Sequence, residues 1–460
     1  MIEIQGETKV EILGHYGDDG IKIRFRDNTY EIIYPNKLWS NYPTADKAVL
    51  LDHLTYVTTI HLPLVFSDRE LLYNTALPFF EPYFFKNLIM DFPSCAEVDG
   101  TNTSDLIRQF MNLKVQFKDN KAKFPQFDVQ TSENSSVVAL SFGKDSLLTY
   151  AVAQEINLHP KIVYIIEPSM KYEEKHKTLL AEKFYNEFGV KLHKITHTVG
   201  QLRNYEYLNI AITELGWGLQ STEYALEMLP LAYEYQAKYL LFGNEQSCGE
   251  YTFDKEGFIN YPAYDQSHNW TVQISAMTQS LTNRNVWTVS LIEPLNDIAV
   301  MYVLQHRYPE IGKYEMSCFT ETEAGRDTKW CHSCSVCGKM YLLLVAAGFD
   351  PKHVGFTKNM LSKEFRNYFS LFGGKKVHTY ALTGLGFDEQ LFAFYLASKR
   401  GNKSDLVLEF ENSPLYEKAK EREEELYNIF LSIHKSITLP PDLFEKVFKI
   451  YKEEVESFEY

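Results

Sequence analysis

The chain has 460 residues, is 45 % hydrophobic and 23 % charged, and carries a formal net charge of −15 at pH 7. The length exceeds one ordinary domain and the composition is globular, so two or three domains are expected and a disordered chain is excluded. So acidic a surface repels phosphate backbones, which argues against general nucleic-acid binding.

Residues 1–13, MIEIQGETKVEIL, lack the basic start and apolar core of a signal peptide. No apolar run reaches the ~20 residues that cross a bilayer. The longest, Met340 to Phe349, reads as a core helix. A cytoplasmic protein with no membrane partner is therefore expected. Lys9–Leu13, Ile21–Phe25 and Tyr30–Tyr34 alternate around the turn signal Gly17-Asp18-Asp19-Gly20, which predicts a small antiparallel meander. Residues 1–130 read as a separate, β-rich N-terminal domain, closed by a polar linker.

From residue 131 the pattern becomes strand, helix, strand. Val137–Leu140, Lys161–Ile166, Lys191–Ile195 and Tyr239–Phe242 are predicted strands. Helices are predicted from the end of the first strand to about Asn157, from Tyr172 to Phe188 and from Thr222 to Ala237. Near-continuous apolar strands between helices imply an α/β fold whose parallel sheet is covered on both faces. Such sheets bind ligands beyond the carboxyl ends of their strands. This domain is placed at 131–350, and residues 351–460 read as a helical C-terminal region. Its charge run at Glu417–Glu425 reads as a solvated helix face.

The first of these strands runs straight into Ser141-Phe142-Gly143-Lys144-Asp145-Ser146 and then a helix. A small-residue turn before a helix N-terminus is an anion site, because the first helical amides lack intrahelical partners. Gly143 admits close backbone approach, Ser141 and Ser146 offer hydroxyls, and Lys144 adds positive charge. Asp145 suits a magnesium ion accompanying a nucleotide. The turn resembles the S-G-G-x-D-S loop of the PP-loop ATP pyrophosphatases, with Phe142 where that family has its first glycine. The resemblance implies a PP-loop adenine-nucleotide-hydrolase (HUP) core. It also implies that residues 141–146 hold the pyrophosphate of ATP while AMP is transferred to a substrate oxygen.

Cys318, Cys331, Cys334 and Cys337 follow a C-x12-C-x2-C-x2-C spacing. Four thiolates from one turn and one loop fit a closed tetrahedral zinc site, with an iron–sulfur cluster as the rival. His332 reads as facing outward, and Cys95 and Cys248 as small side chains without partners in sequence. The turn, Glu293-Pro294-Leu295 and the cysteine cluster together resemble 7-cyano-7-deazaguanine synthase, and the long flanks resemble its extended relatives in bacterial anti-phage defence. Two family features are absent. Leu219-Gln220-Ser221-Thr222 stands where the family has Pro-Gly-Arg-Asn, and Asn296-Asp297-Ile298 where it has a lysine after Pro-Leu.

The resemblance implies an ATP-dependent ligase. It would adenylate 7-carboxy-7-deazaguanine or a related acid and couple it to nitrogen, either ammonia or an amine on a protein partner docked by the flanks. Lys144, Asp145 and Ser146 would act in catalysis, and Glu167 would lie where adenosine is received. Asn244, Glu245, Tyr261 and Asp265 would face the substrate. Two alternatives remain open: a tRNA-thiolating enzyme, and a nucleotide-binding module without turnover.

Overall fold

The computed structural model describes residues 9–66, 70–168, 172–210, 213–320 and 322–459. The first eight residues, on which part of the signal-peptide reading rests, lie outside the described residues. Twelve strands occur among the described residues: β1 (Val10–Tyr16), β2 (Gly20–Phe25), β3 (Asn28–Ile33), β4 (Glu70–Ala76), β5 (Lys114–Asp119), β6 (Ser132–Ala139), β7 (Pro160–Ile166), β8 (Leu192–His197), β9 (Ala237–Leu241), β10 (Thr252–Phe253), β11 (Ile259–Asn260) and β12 (Trp287–Val289). All but the β10–β11 hairpin join one sheet in the order β12-β9-β6-β7-β8-β3-β2-β1-β4-β5. Strands β12, β9, β6, β7 and β8 are mutually parallel. The meander β1–β2–β3 is antiparallel and joins the parallel block through β3 and β8.

The chain reverses direction across the sheet between β6 and β9. The strands β7 and β8 lie to one side of β6, and β9 and β12 to the other. This switch leaves a crevice at the carboxyl ends of β6 and β9, the position where open α/β sheets receive ligands. The turn Ser141–Ser146 and the pair Gly243-Asn244 sit at its two lips.

Alternation along the central strands divides the hydrophobic interior in two. Val138, Ile162, Tyr239 and Leu241 point into a core completed by the C-terminal helices as far as Phe458. Val137, Val163, Ile165 and Leu240 point into a second core completed by residues Val10 to Phe127. The C-terminal flank thus covers one face of the central strands, while the N-terminal flank covers the other and also adds strands β1–β5 to the same sheet. The expected meander is present, and residue 130 falls between the five N-terminal strands and the five later ones, which join edge to edge in one continuous sheet. A parallel strand that is apolar on both sides needs both layers, which is the physical reason the flanks are so long.

Two local differences have simple causes. The helix expected over Thr222–Ala237 is two shorter helices, Gln220–Glu227 and Leu229–Glu234, because Pro230 cannot continue the first. The stretch Thr44–Phe66 is long and apolar enough to cross a membrane by composition, yet 89 % of its apolar window is buried inside the protein, so it is a core element.

Removing residues 1–125 takes away strands β1–β5 and strips one face of the strands that remain. We expect the truncated chain to lose cooperative thermal unfolding, measured by circular dichroism, and to become insoluble. A truncated protein that melts cooperatively would show the N-terminal layer to be dispensable.

Candidate metal centre and adjoining cavity

The turn after β6 is tightly determined. Phe142 adopts φ +61, in the left-handed region that favours glycine. Such a conformation costs a non-glycine residue roughly 1–3 kcal/mol. Its ring is fully buried and meets Phe184 edge-on at 5.9 Å. Burial of a phenylalanine contributes about 1.5–3 kcal/mol, which offsets the strain. The chain therefore keeps a glycine-like backbone at the position where the sequence departs from the S-G-G-x-D-S pattern.

Gly143 caps the helix Lys144–Glu155 with extended backbone, φ −70 and ψ 158. The Ser146 hydroxyl donates to the Gly143 carbonyl at 3.0 Å and accepts from the Ser141 amide at 3.2 Å. Glycine is required at 243, because a Cβ there would lie 2.8 Å from Asp145 Cβ and 2.9 Å from the Asp145 carbonyl carbon. The loops after β6 and β9 are therefore in direct backbone contact.

The same turn is stitched to the cysteine segment. The Met316 amide donates to the Phe142 carbonyl at 2.7 Å, and the Lys144 amide donates to Ser317 Oγ at 3.4 Å. Cys318 follows immediately. One sulfur from each of Cys318, Cys331, Cys334 and Cys337 lies within 4.8 Å of all the others. Cys331 Sγ and Cys337 Sγ are 3.7 Å apart, against about 3.8 Å for two sulfurs on one tetrahedral zinc with 2.3 Å bonds. All four cysteines are unpaired. Backbone amides of Thr320, Ser333 and Cys337 donate to the sulfurs of Cys318, Cys331 and Cys334 at 3.3, 3.4 and 3.4 Å. Such donors favour thiolates, the form that ligates metal. The four residues can hold a metal such as zinc. His332 turns away from the sulfurs and accepts from the Thr357 amide at 3.1 Å.

Beside this centre lies a cavity of about 370 Å³ whose charged lining is Lys144, Asp145, Glu245, Asp297, Lys339 and Glu389. Lys144 is only 3 % exposed. Its ammonium pairs with Asp145 at 2.5 Å and with Asp297. The other Asp297 oxygen pairs with Lys339, which also lies 3.2 Å from Glu389. Burial works against the charge on Asp297, but the Lys144 and Lys339 ammoniums outweigh it and hold this carboxyl below its usual range. Burial pushes Glu245 up to about 8, with Asp297 adding to the effect. Burial likewise pushes Glu389 up to about 7.

Of the residues read from the sequence for nucleotide binding, Lys144 and Asp145 line this cavity. Of the substrate set, Glu245 does. Asn244 turns inward and donates to Thr271 Oγ1 at 3.0 Å. Asp265 accepts from the Ser221 amide at 3.1 Å. Tyr261 packs on Tyr264 with ring centres 5.2 Å apart. Lys339 and Glu389 were missed by sequence reasoning. A signal for the first existed: Lys339 is the lone charged residue of the apolar helix Ser335–Ala347.

Glu167 lies in a second buried cluster, outside the cavity lining. It accepts from Tyr224 at 2.7 Å and Gln220 at 3.1 Å, and pairs with Arg203, which also pairs with Glu223. Glu167, His197 and Glu223 stand close enough to share a metal, but the Arg203 guanidinium already bridges both carboxylates. His197 also lies 2.5 Å from Glu227. No family model matches the chain, and no curated protein matches it.

Burial opposes the charge on His197, yet Glu227 and Glu223 outweigh it and raise its pKa from 6.5 to about 10. A pKa raised by folding gives stability that is complete below 6.5 and is lost as the pH rises through about 10. Thermal denaturation across pH 6.5–10 should therefore show a steady loss of stability, and His197→Gln should flatten that slope. An unchanged slope in the variant would contradict a charged His197.

Proposed function

We propose that the chain is an ATP-dependent carbon–nitrogen ligase of the PP-loop type, similar to 7-cyano-7-deazaguanine synthase. It adenylates a carboxylate and transfers the acyl group to nitrogen, with release of AMP and pyrophosphate. The observation that carries this reading is the left-handed turn at Phe142, opening a helix N-terminus at the crevice between β6 and β9, with Lys144 and Asp145 facing one cavity.

In this reading the amides of the first helical turn and the Lys144 ammonium receive the phosphates. Their fixed donors stabilise charge developing on the leaving pyrophosphate. The Ser141 and Ser146 hydroxyls exchange their mutual contact for phosphate oxygens. Asp145 suits magnesium, a hard cation that takes carboxylate oxygen and screens phosphate charge when bound. The missing lysine after Pro294-Leu295 has a counterpart in Lys339, which reaches Asp297 from another helix. The substrate is a deazapurine carboxylate such as 7-carboxy-7-deazaguanine. The net charge of −15 disfavours tRNA as the substrate. The acceptor is ammonia or an amine carried by a protein partner, and a cytoplasmic role in anti-phage defence is consistent with the long flanks.

Incubation with ATP, magnesium, 7-carboxy-7-deazaguanine and ammonia should yield AMP and pyrophosphate, resolved by chromatography. Asp145→Asn should lower that rate roughly 100-fold. ADP as the sole nucleotide product would overturn the reading, and absence of any turnover would favour a binding module. The cysteine centre is proposed to hold one structural zinc per chain. Elemental analysis should find it, and Cys334→Ser should lose it together with thermal stability. A brown, iron-containing protein would instead favour an iron–sulfur cluster.

A further inference from the structure

The cavity is not closed by the sheet and its loops alone. The C-terminal helix Gly384–Lys399 supplies Glu389 to its wall. Glu389 is 2 % exposed. One of its oxygens lies 3.2 Å from the Lys339 ammonium. The other, Oε1, is buried with no hydrogen-bond partner among the described residues. A buried carboxylate oxygen left without a donor is costly, and such groups call for a ligand or a chemical role.

The surroundings restrict what that ligand can be. The lining holds four carboxylates, Asp145, Glu245, Asp297 and Glu389, against two ammoniums, Lys144 and Lys339. Lys144 is already paired with Asp145 and Asp297, and Lys339 with Asp297 and Glu389, so no ammonium is left over for an anion at the Glu389 end. An anionic phosphate group is unfavourable there. A nitrogen that carries protons is favourable.

We propose that Glu389 is the catalytic base that takes the proton from the nitrogen nucleophile as it attacks the adenylated carboxylate. The inference rests on the ligase reading above. In this step the nitrogen lone pair forms a bond to the acyl carbon, and the bond from that carbon to the AMP oxygen breaks. AMP departs with the electron pair, and the proton released by nitrogen moves to Glu389. The groups facing Glu389 are Lys339, Asp297, Lys144 and Tyr380, with Glu245 across the cavity and His378 beside Lys339. Burial places Glu389 near neutrality, at about 7, where a base is most effective at physiological pH.

Two rates separate this role from the adenylation reading. ATP–pyrophosphate exchange with 7-carboxy-7-deazaguanine reports the first half-reaction, and transfer to ammonia reports the second. In Glu389→Gln, transfer should fall about 100-fold, the ordinary span of general-base catalysis, and at least tenfold more than exchange. Equal losses in both rates, or full transfer to ammonia, would overturn the role. The wild-type protein gives an independent check should the variant fold poorly. Its transfer rate should rise through a limb near pH 7 that exchange lacks, and a transfer profile parallel to exchange would overturn the role. Absent exchange in the wild type would instead remove the adenylation reading itself, and this role with it.

Discussion

A lysine ammonium almost wholly out of water governs the arrangement of the site. Taking such a charge from solvent costs several kcal/mol unless partners surround it. Lys144 cannot avoid burial, because it opens the helix packed beneath the sheet. Asp145 and Asp297 neutralise it, and Asp297 is in turn held by Lys339. Lys339 is held by Glu389. Each member sits on a different helix, apart from the adjacent pair Lys144-Asp145. The demand of one buried cation thus propagates from the turn after β6 to the helix starting at Asp297, the helix of the cysteine centre and the C-terminal layer.

The same economy explains the cysteine centre. Its first ligand follows directly on Met316 and Ser317, which bond to Phe142 and Lys144. Its third cysteine, Cys334, caps the helix that carries Lys339, and its last, Cys337, lies in that helix's first turn. A metal on the four sulfurs therefore fixes both the backbone beside the turn and the ammonium that faces it. A metal held here would act on the cavity through these two segments.

Much of this was legible in the sequence because it is local. Alternation revealed the meander, continuous apolar runs revealed the buried strands, and spacing revealed the four cysteines. The turn residues announced a helix N-terminus at a strand end. What the sequence hid is what depends on long-range pairing. Asn244 and Asp265 look like exposed polar residues beside a pocket, yet Thr271 and the Ser221 amide satisfy them internally. Glu167 ends its strand as expected but is captured by Arg203, a residue 36 positions away. Glu389 lies beside Asp388 in a largely apolar, buried helix and is distinguished from it only by its neighbours in space. The flanks read as separate domains because their patterns differ, and pattern alone does not tell which face of which sheet an apolar stripe will cover.

The turn Ser141–Ser146 and the cavity beside it are proposed to form one nucleotide site. A crystal structure of the protein with α,β-methylene-ATP and magnesium tests it most directly, because this analogue cannot be cleaved between the α and β phosphates. Phosphates are expected against the first turn of the helix Lys144–Glu155, with the Lys144 ammonium and the Asp145 carboxylate turned toward them or their cation. Nucleotide bound elsewhere on the protein, with that turn and cavity unchanged, would contradict it.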